Sequence, residues 1–142
     1  MLSKLRTRMA REESGFTLIE LLVVMLILGI LAAIAIPAFL NQREKGQDAD
    51  AKADVRTVET AMETYATDND GAYTTVEADL VAIEGVINDI TADLTLPAPA
   101  AGEDYVITVD SESGNTFTLT RLSTGDKDRS CTGGGGCVGS SW

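Results

Sequence analysis

The chain has 142 residues, with 11 lysines and arginines against 22 aspartates and glutamates and no histidine, for a net charge of −11. That length accommodates one small domain and a long helix. A body this acidic repels phosphate backbones, so direct nucleic-acid binding is not expected. Without histidine the chain lacks the usual general base, the commonest metal ligand and any Ser/His or Cys/His nucleophile pair. Neither an enzyme nor a bound metal or cofactor is expected.

Residues 1–15, MLSKLRTRMAREESG, read as a basic leader carrying Lys4, Arg6, Arg8 and Arg11, and they stand outside the fold. Phe16–Leu40 follows, apolar in nearly every position and with one ionisable group, Glu20. At ~1.5 Å of rise per residue, the uncharged part from Leu21 onward matches the ~30 Å hydrocarbon core of a bilayer, which makes the membrane the first partner. A lone carboxylate in such a segment is costly and calls for a positive partner. The leader's basic residues bias that side toward the cytoplasm, but Arg43, Lys45 and Lys52 lie beyond the span, so charge alone orients it weakly. A competing reading takes Ala33-Ile34-Ala35 as a secretory cleavage signal releasing a protein that begins at Ile36. Against it stand the apolar run's continuation to Leu40 and the place of Glu20 at the start of that run.

The sequence Gly15-Phe16-Thr17-Leu18-Ile19-Glu20, the apolar run behind it and Pro37 resemble the type IV pilin family, which includes the type II secretion pseudopilins. The resemblance implies an α+β fold, in which a long N-terminal helix packs on a small antiparallel sheet with a disulfide-stapled C-terminal loop. It also implies cleavage after Gly15 by a membrane-embedded prepilin peptidase and N-methylation of the new Phe16 amine. Glu20 would then pair with the Phe16 amine of a neighbouring subunit in a homo-oligomeric filament; pairing within one subunit fits the spacing as well. The family further implies that Ile30–Ile36, between Gly29 and Pro37, unwinds when the subunit leaves the membrane. A simple kink kept for packing is the other reading of those two residues. An assembly platform and a separate ATPase are expected partners, since the chain has no nucleotide-binding loop.

The favoured expectation is the major subunit of a type IV pilus, inserted in the inner membrane and later extracellular. The alternative is a type II secretion pseudopilin. The major form of that group carries a C-terminal calcium site, which the acidic segment Ser123–Asp128 does not match convincingly. A second alternative, from another class, is a membrane-anchored exported binding protein that never polymerises.

After Leu40 the pattern becomes amphipathic. Ala51, Val55, Val58, Met62 and Tyr65 mark one face of the same helix, and Asp48–Lys52 is a plausible i,i+4 pair. The helix should end at Asp68-Asn69-Asp70-Gly71, with Gly71 as the C-terminal cap. Asp68, Asp70 and Glu77 also mimic part of a calcium loop, but its first position would be Ala66, which has no side-chain oxygen, so a cap and turn is the better reading. The domain boundaries are therefore 1–15, 16–40, 41–71 and 72–142.

Thr74-Thr75-Val76-Glu77 has the form of a capping box opening a second helix. Val76, Leu80, Ile83, Ile87, Ile90 and Leu94 supply its apolar face, and Gly85 is its weak point. The segment 96–102, LPAPAAG, is a connector. Tyr105–Asp110 and Thr116–Leu122 alternate in polarity around the turn Ser111–Asn115 and read as a hairpin. Tyr105, Ile107, Val109, Phe117 and Leu119 form the inward set, facing Val58, Met62 and Tyr65. Two strands are marginal alone, so a third element, such as the cysteine-bearing tail, should complete the sheet, with the rest of residues 123–142 as polar surface. In an exported body Cys131 and Cys137 read as a disulfide closing a short loop, contributing about 2–2.5 kcal/mol; two reduced buried thiols are the alternative.

Overall fold

The computed structural model describes residues 15–90 and 93–142. The leader expected over residues 1–15 therefore lies outside the described residues, apart from Gly15. Chain contacts divide the molecule into two units, one ending at Phe39 and the other spanning Leu40–Trp142.

The first unit is the apolar half of helix α1, which as a whole runs Leu18–Asp68. Helical geometry continues through Gly29 and Pro37 without interruption. Every residue from Gly15 to Leu40 is exposed, including Leu21, Met25, Ile34 and Phe39. This stretch is long and apolar enough to cross a membrane.

The second unit is built on the remainder of α1. Asp48, Ala51, Val55, Val58, Met62 and Ala66 are buried at spacings of three and four, so they form one stripe. Helix α2 spans Glu77–Ile83, a 3₁₀ turn spans Gly85–Asp89, and four strands follow: β1 Leu94–Thr95, β2 Glu103–Asp110, β3 Thr116–Leu122 and β4 Lys127–Thr132. The strands form one antiparallel sheet in the order β1-β2-β3-β4. The register pairs Ile107 with Leu119 and Val109 with Phe117, which puts these four side chains on one face by the two-residue period of a strand. That face and the α1 stripe enclose the core, in which Val55, Val58, Met62, Ile107, Phe117 and Leu119 are fully buried.

Helix α1 stops where expected. Asp70 and Gly71 both have positive φ, and the Gly71 amide donates to the Ala66 carbonyl at 2.8 Å, satisfying a carbonyl that the ending helix leaves open. The capping box expected at Thr74–Glu77 does not form. The Thr74 hydroxyl accepts the Val76 amide at 2.9 Å and donates to Asp79 Oδ2 at 2.8 Å, a local turn that starts α2 one residue after Val76. Glu77 is consequently the first helical residue rather than the third.

The second helix is also shorter than its apolar pattern suggests. It ends at Ile83, before Gly85, and the chain tightens into the 3₁₀ turn that buries Ile87. Leu94 belongs to β1, opposite Val109. The sheet does gain a strand from the cysteine-bearing tail: β4 pairs with β3 and turns Cys131 into the core. Residues 127–132 are thus sheet rather than plain surface. The Asp48–Lys52 ion pair is replaced by separate contacts to other parts of the head.

Candidate assembly site and the supporting head

Gly15, Phe16 and Thr17 precede the helix and are exposed, so the Gly15–Phe16 bond lies on chain that is not tied into helical hydrogen bonds. Thr17 caps the helix. Its hydroxyl accepts the Glu20 amide at 3.2 Å, while its own amide and hydroxyl donate to Glu20 Oε2 at 3.1 and 2.9 Å. This is a reciprocal capping box, and the pattern Thr-x-x-Glu was readable from the sequence by the rule applied above to Thr74. One residue of the motif, Thr17, thus holds the carboxylate of another, Glu20. Thr17 fixes its direction, the helix N-terminus supplies partial positive charge, and among the described residues Oε1 accepts nothing. Such a group can accept one more donor, an ammonium above all. Phe16 is adjacent and 83% exposed. Gly29 and Pro37 lie farther along the same exposed half; a Cβ at Gly29 would meet nothing within 4 Å.

The head carries two polar clusters that the sequence reading did not assemble. One is centred on Asp48, a fully buried carboxylate. It accepts the Ser113 hydroxyl on Oδ1, and on Oδ2 the Asn115 amide at 2.9 Å and the Gly136 backbone N–H at 2.8 Å. Burial pushes its carboxyl upward, but these hydrogen bonds, with Ser111 among them, outweigh burial and hold it below the usual aspartate value. Lys52 donates to the Gly136 carbonyl at 2.7 Å and lies over the Phe117 ring. The other cluster fastens the helix to the sheet. Glu63 accepts Arg121 and the Tyr105 hydroxyl, and Lys127 meets Glu59 at 2.6 Å. Burial, the hydrogen bond to Glu63 and that carboxylate's charge push the Tyr105 phenol upward.

Cys131 and Cys137 form a disulfide, with Cα atoms 5.7 Å apart. Asp68 and Asp70 lie in the turn that ends α1, and Glu77 begins α2. Among the described residues, no group of three or more Asp, Glu, Cys or His side chains is placed to hold a metal ion.

A long N-terminal helix, apolar in its first half and packed in its second on an antiparallel four-stranded sheet with a disulfide-closed tail, defines the type IV pilin fold. Residues 10–36 match the prokaryotic N-terminal methylation motif. The type II secretion system core protein G of Escherichia coli K12 is 32% identical over 115 residues, which cover 75% of this chain and 79% of that protein. The same-named protein of Aeromonas hydrophila is 38% identical over 94 residues, 66% of this chain and 61% of the relative. The type IV major pilin protein PilA of Myxococcus xanthus is 39% identical over 64 residues, 45% of this chain but 29% of the relative. The chain thus spans less than two thirds of the Aeromonas and Myxococcus proteins. It belongs to the pilin and pseudopilin family.

Proposed function

We propose that this chain is a polymerising subunit of a type II secretion pseudopilus. The observation that carries this reading is the match to core protein G across most of the E. coli protein's length, whereas the pilin PilA is matched over a short segment. The weighting therefore moves from the surface pilus, which the stapled C-terminal loop, the acidic head and the hairpin favour on sequence alone, to the secretion alternative.

In this reading the precursor sits in the inner membrane with Phe16–Leu40 in lipid. A prepilin peptidase cuts after Gly15, and the freed Phe16 amine is methylated and stays cationic. Thr17 keeps Glu20 Oε2 engaged, so Oε1 faces the Phe16 amine of a neighbour. In a dry bundle that attraction is strong, because an unpaired carboxylate there has no solvent to turn to. Neighbouring apolar helices replace lipid contacts, and only the surplus over ordering costs drives assembly. A heterologous contact that does not close on itself yields a helical fibre. An assembly platform and a separate ATPase supply the work.

The test is deletion of the gene, followed by assays of exported enzymes and of surface fibres. The expected result is retention of exported enzymes in the periplasm with surface pili intact. Loss of surface fibres with normal secretion overturns the secretion reading in favour of the pilus. A Glu20→Ala subunit should insert and fold but fail to enter fibres; normal fibres from it would remove the paired-charge mechanism.

A further inference from the structure

The loop closed by the disulfide, Thr132–Gly136, holds four consecutive glycines and so has almost no side-chain surface with which to pack. It is nevertheless held by four backbone hydrogen bonds to side chains outside it. Gly136 donates to Asp48 and accepts from Lys52, and Gly134 donates to Asn115 Oδ1 at 3.0 Å and accepts from its Nδ2 at 2.6 Å. The fit is close: a Cβ at Gly136 would lie 2.6 Å from Asp48, and one at Gly133 would lie 1.7 Å from Asn115. Gly136 is also the residue next to Cys137, so the Asp48 bond is made beside the sulfur.

We infer that the buried Asp48 carboxylate and the Cys131–Cys137 bond are two halves of one latch: oxidation docks the glycine loop on the helix, and Asp48 is the positioning residue that holds the two sulfurs in bonding range. This goes beyond the secretion reading and does not depend on it.

The physical basis is linkage. A glycine loop freed at one end gains more conformational freedom than any other kind of segment, so opening the disulfide favours undocking. Undocking takes the Gly136 N–H from a fully buried carboxylate, which then has to find water in its place. Because the coupling is reciprocal, whatever reduction does to docking, loss of docking does to the disulfide by the same factor. Reduction itself takes two electrons and two protons. Two glutathione thiols supply both, joining as one glutathione disulfide as Cys131 and Cys137 become thiols.

The test uses the full chain in detergent, equilibrated in a series of glutathione buffers, with thiol alkylation reading the oxidised fraction and hydrogen exchange reading the Gly136 amide. In the wild type, the reduced form should lose protection at Gly136 while strands β2 and β3 stay protected. Asp48→Asn should become reducible in buffers about tenfold less reducing, the scale of a lost hydrogen bond to a charged group. Coincident titrations of wild type and Asp48→Asn, or a Gly136 amide still protected in the reduced wild type, overturn the latch. Should Asp48→Asn not fold, Lys52→Met leaves Asp48 in place and removes the partner of the Gly136 carbonyl, together with the cation over the Phe117 ring. It should shift the midpoint the same way by roughly threefold, and an unmoved midpoint in that variant also overturns the proposal.

Discussion

Helix α1 is one element in two environments. From Leu18 to Leu40 its side chains are apolar on every face and exposed. From Ala51 to Ala66 a single stripe, Ala51, Val55, Val58, Ala61, Met62 and Ala66, is buried against the sheet. Both halves are one continuous helix, and the apolar half stays helical although Pro37 has no N–H to donate, so helix formation is not what distinguishes them. Periodicity is. A stripe specifies a partner inside the chain, whereas a uniformly apolar surface specifies lipid or other apolar helices.

The two methionines of α1 carry the difference in number. Met62 is fully buried and Met25 is 64% exposed. Met62→Ala should destabilise the head by about 2–5 kcal/mol through lost contacts and a cavity. Met25→Ala should leave the urea midpoint of the head where it was. Equal losses would mean that the apolar half also supports the head.

The end of the striped half gives a smaller effect. Gly71 has φ of +84°, so Gly71→Ala should cost about 1–2 kcal/mol, read as a lower melting temperature. Gly29→Ala, in an open helical position, should cost nothing and tighten local amide exchange. At the start of the apolar half, Thr17→Ala should fray the first turn, raising exchange at the Leu21 amide, with Thr17→Ser restoring it. The head's stability should not respond.

The smallest effect is in pH. Asp54 shares a cleft with Asp50 and Asp93, and burial first, then those two charges, raise its carboxyl above the ordinary value. A raised carboxyl binds its proton more tightly in the folded state. Its contribution is therefore present below about pH 4 and is lost as pH rises through the folded value. Asp48, held low, behaves in the opposite sense: its contribution is present above about pH 4 and falls away as acid titrates it. Urea midpoints across pH should thus rise slightly at neutral pH in Asp54→Asn and lose their acid-side slope in Asp48→Asn. A neutral-pH loss in Asp54→Asn would mean that the cleft carboxylates are paired rather than repelling.

The strongest patterns were legible without coordinates. The α1 stripe, its stop near Gly71, the β2–β3 hairpin and the disulfide all follow from spacing and residue type. The misses have physical causes. Strand β4, KDRSCT, has no apolar alternation, and its pairing with β3 is a property of the partner strand. Strand β1 is two residues long, too short to show a period, and Leu94 suited the helical pattern equally well. Asp48 sits on a helix where i,i+4 logic offers Lys52, while its true donors lie about 65 to 88 residues away. The Thr17–Glu20 box follows from Thr-x-x-Glu at the start of the apolar run, and it leaves Glu20 with an oxygen for a partner outside the motif.

One consequence follows from the smoothness of the apolar half. A rod apolar on every side can pack against its like at several offsets, so dispersion alone marks no single level along it. Vertical alignment in any stack of them falls to the few hydrophilic atoms at the tip. In the assembly proposed above, a slip of one turn, about 5.4 Å, would strand the Glu20 carboxylate in oil, which would make that residue the levelling mark for the whole array.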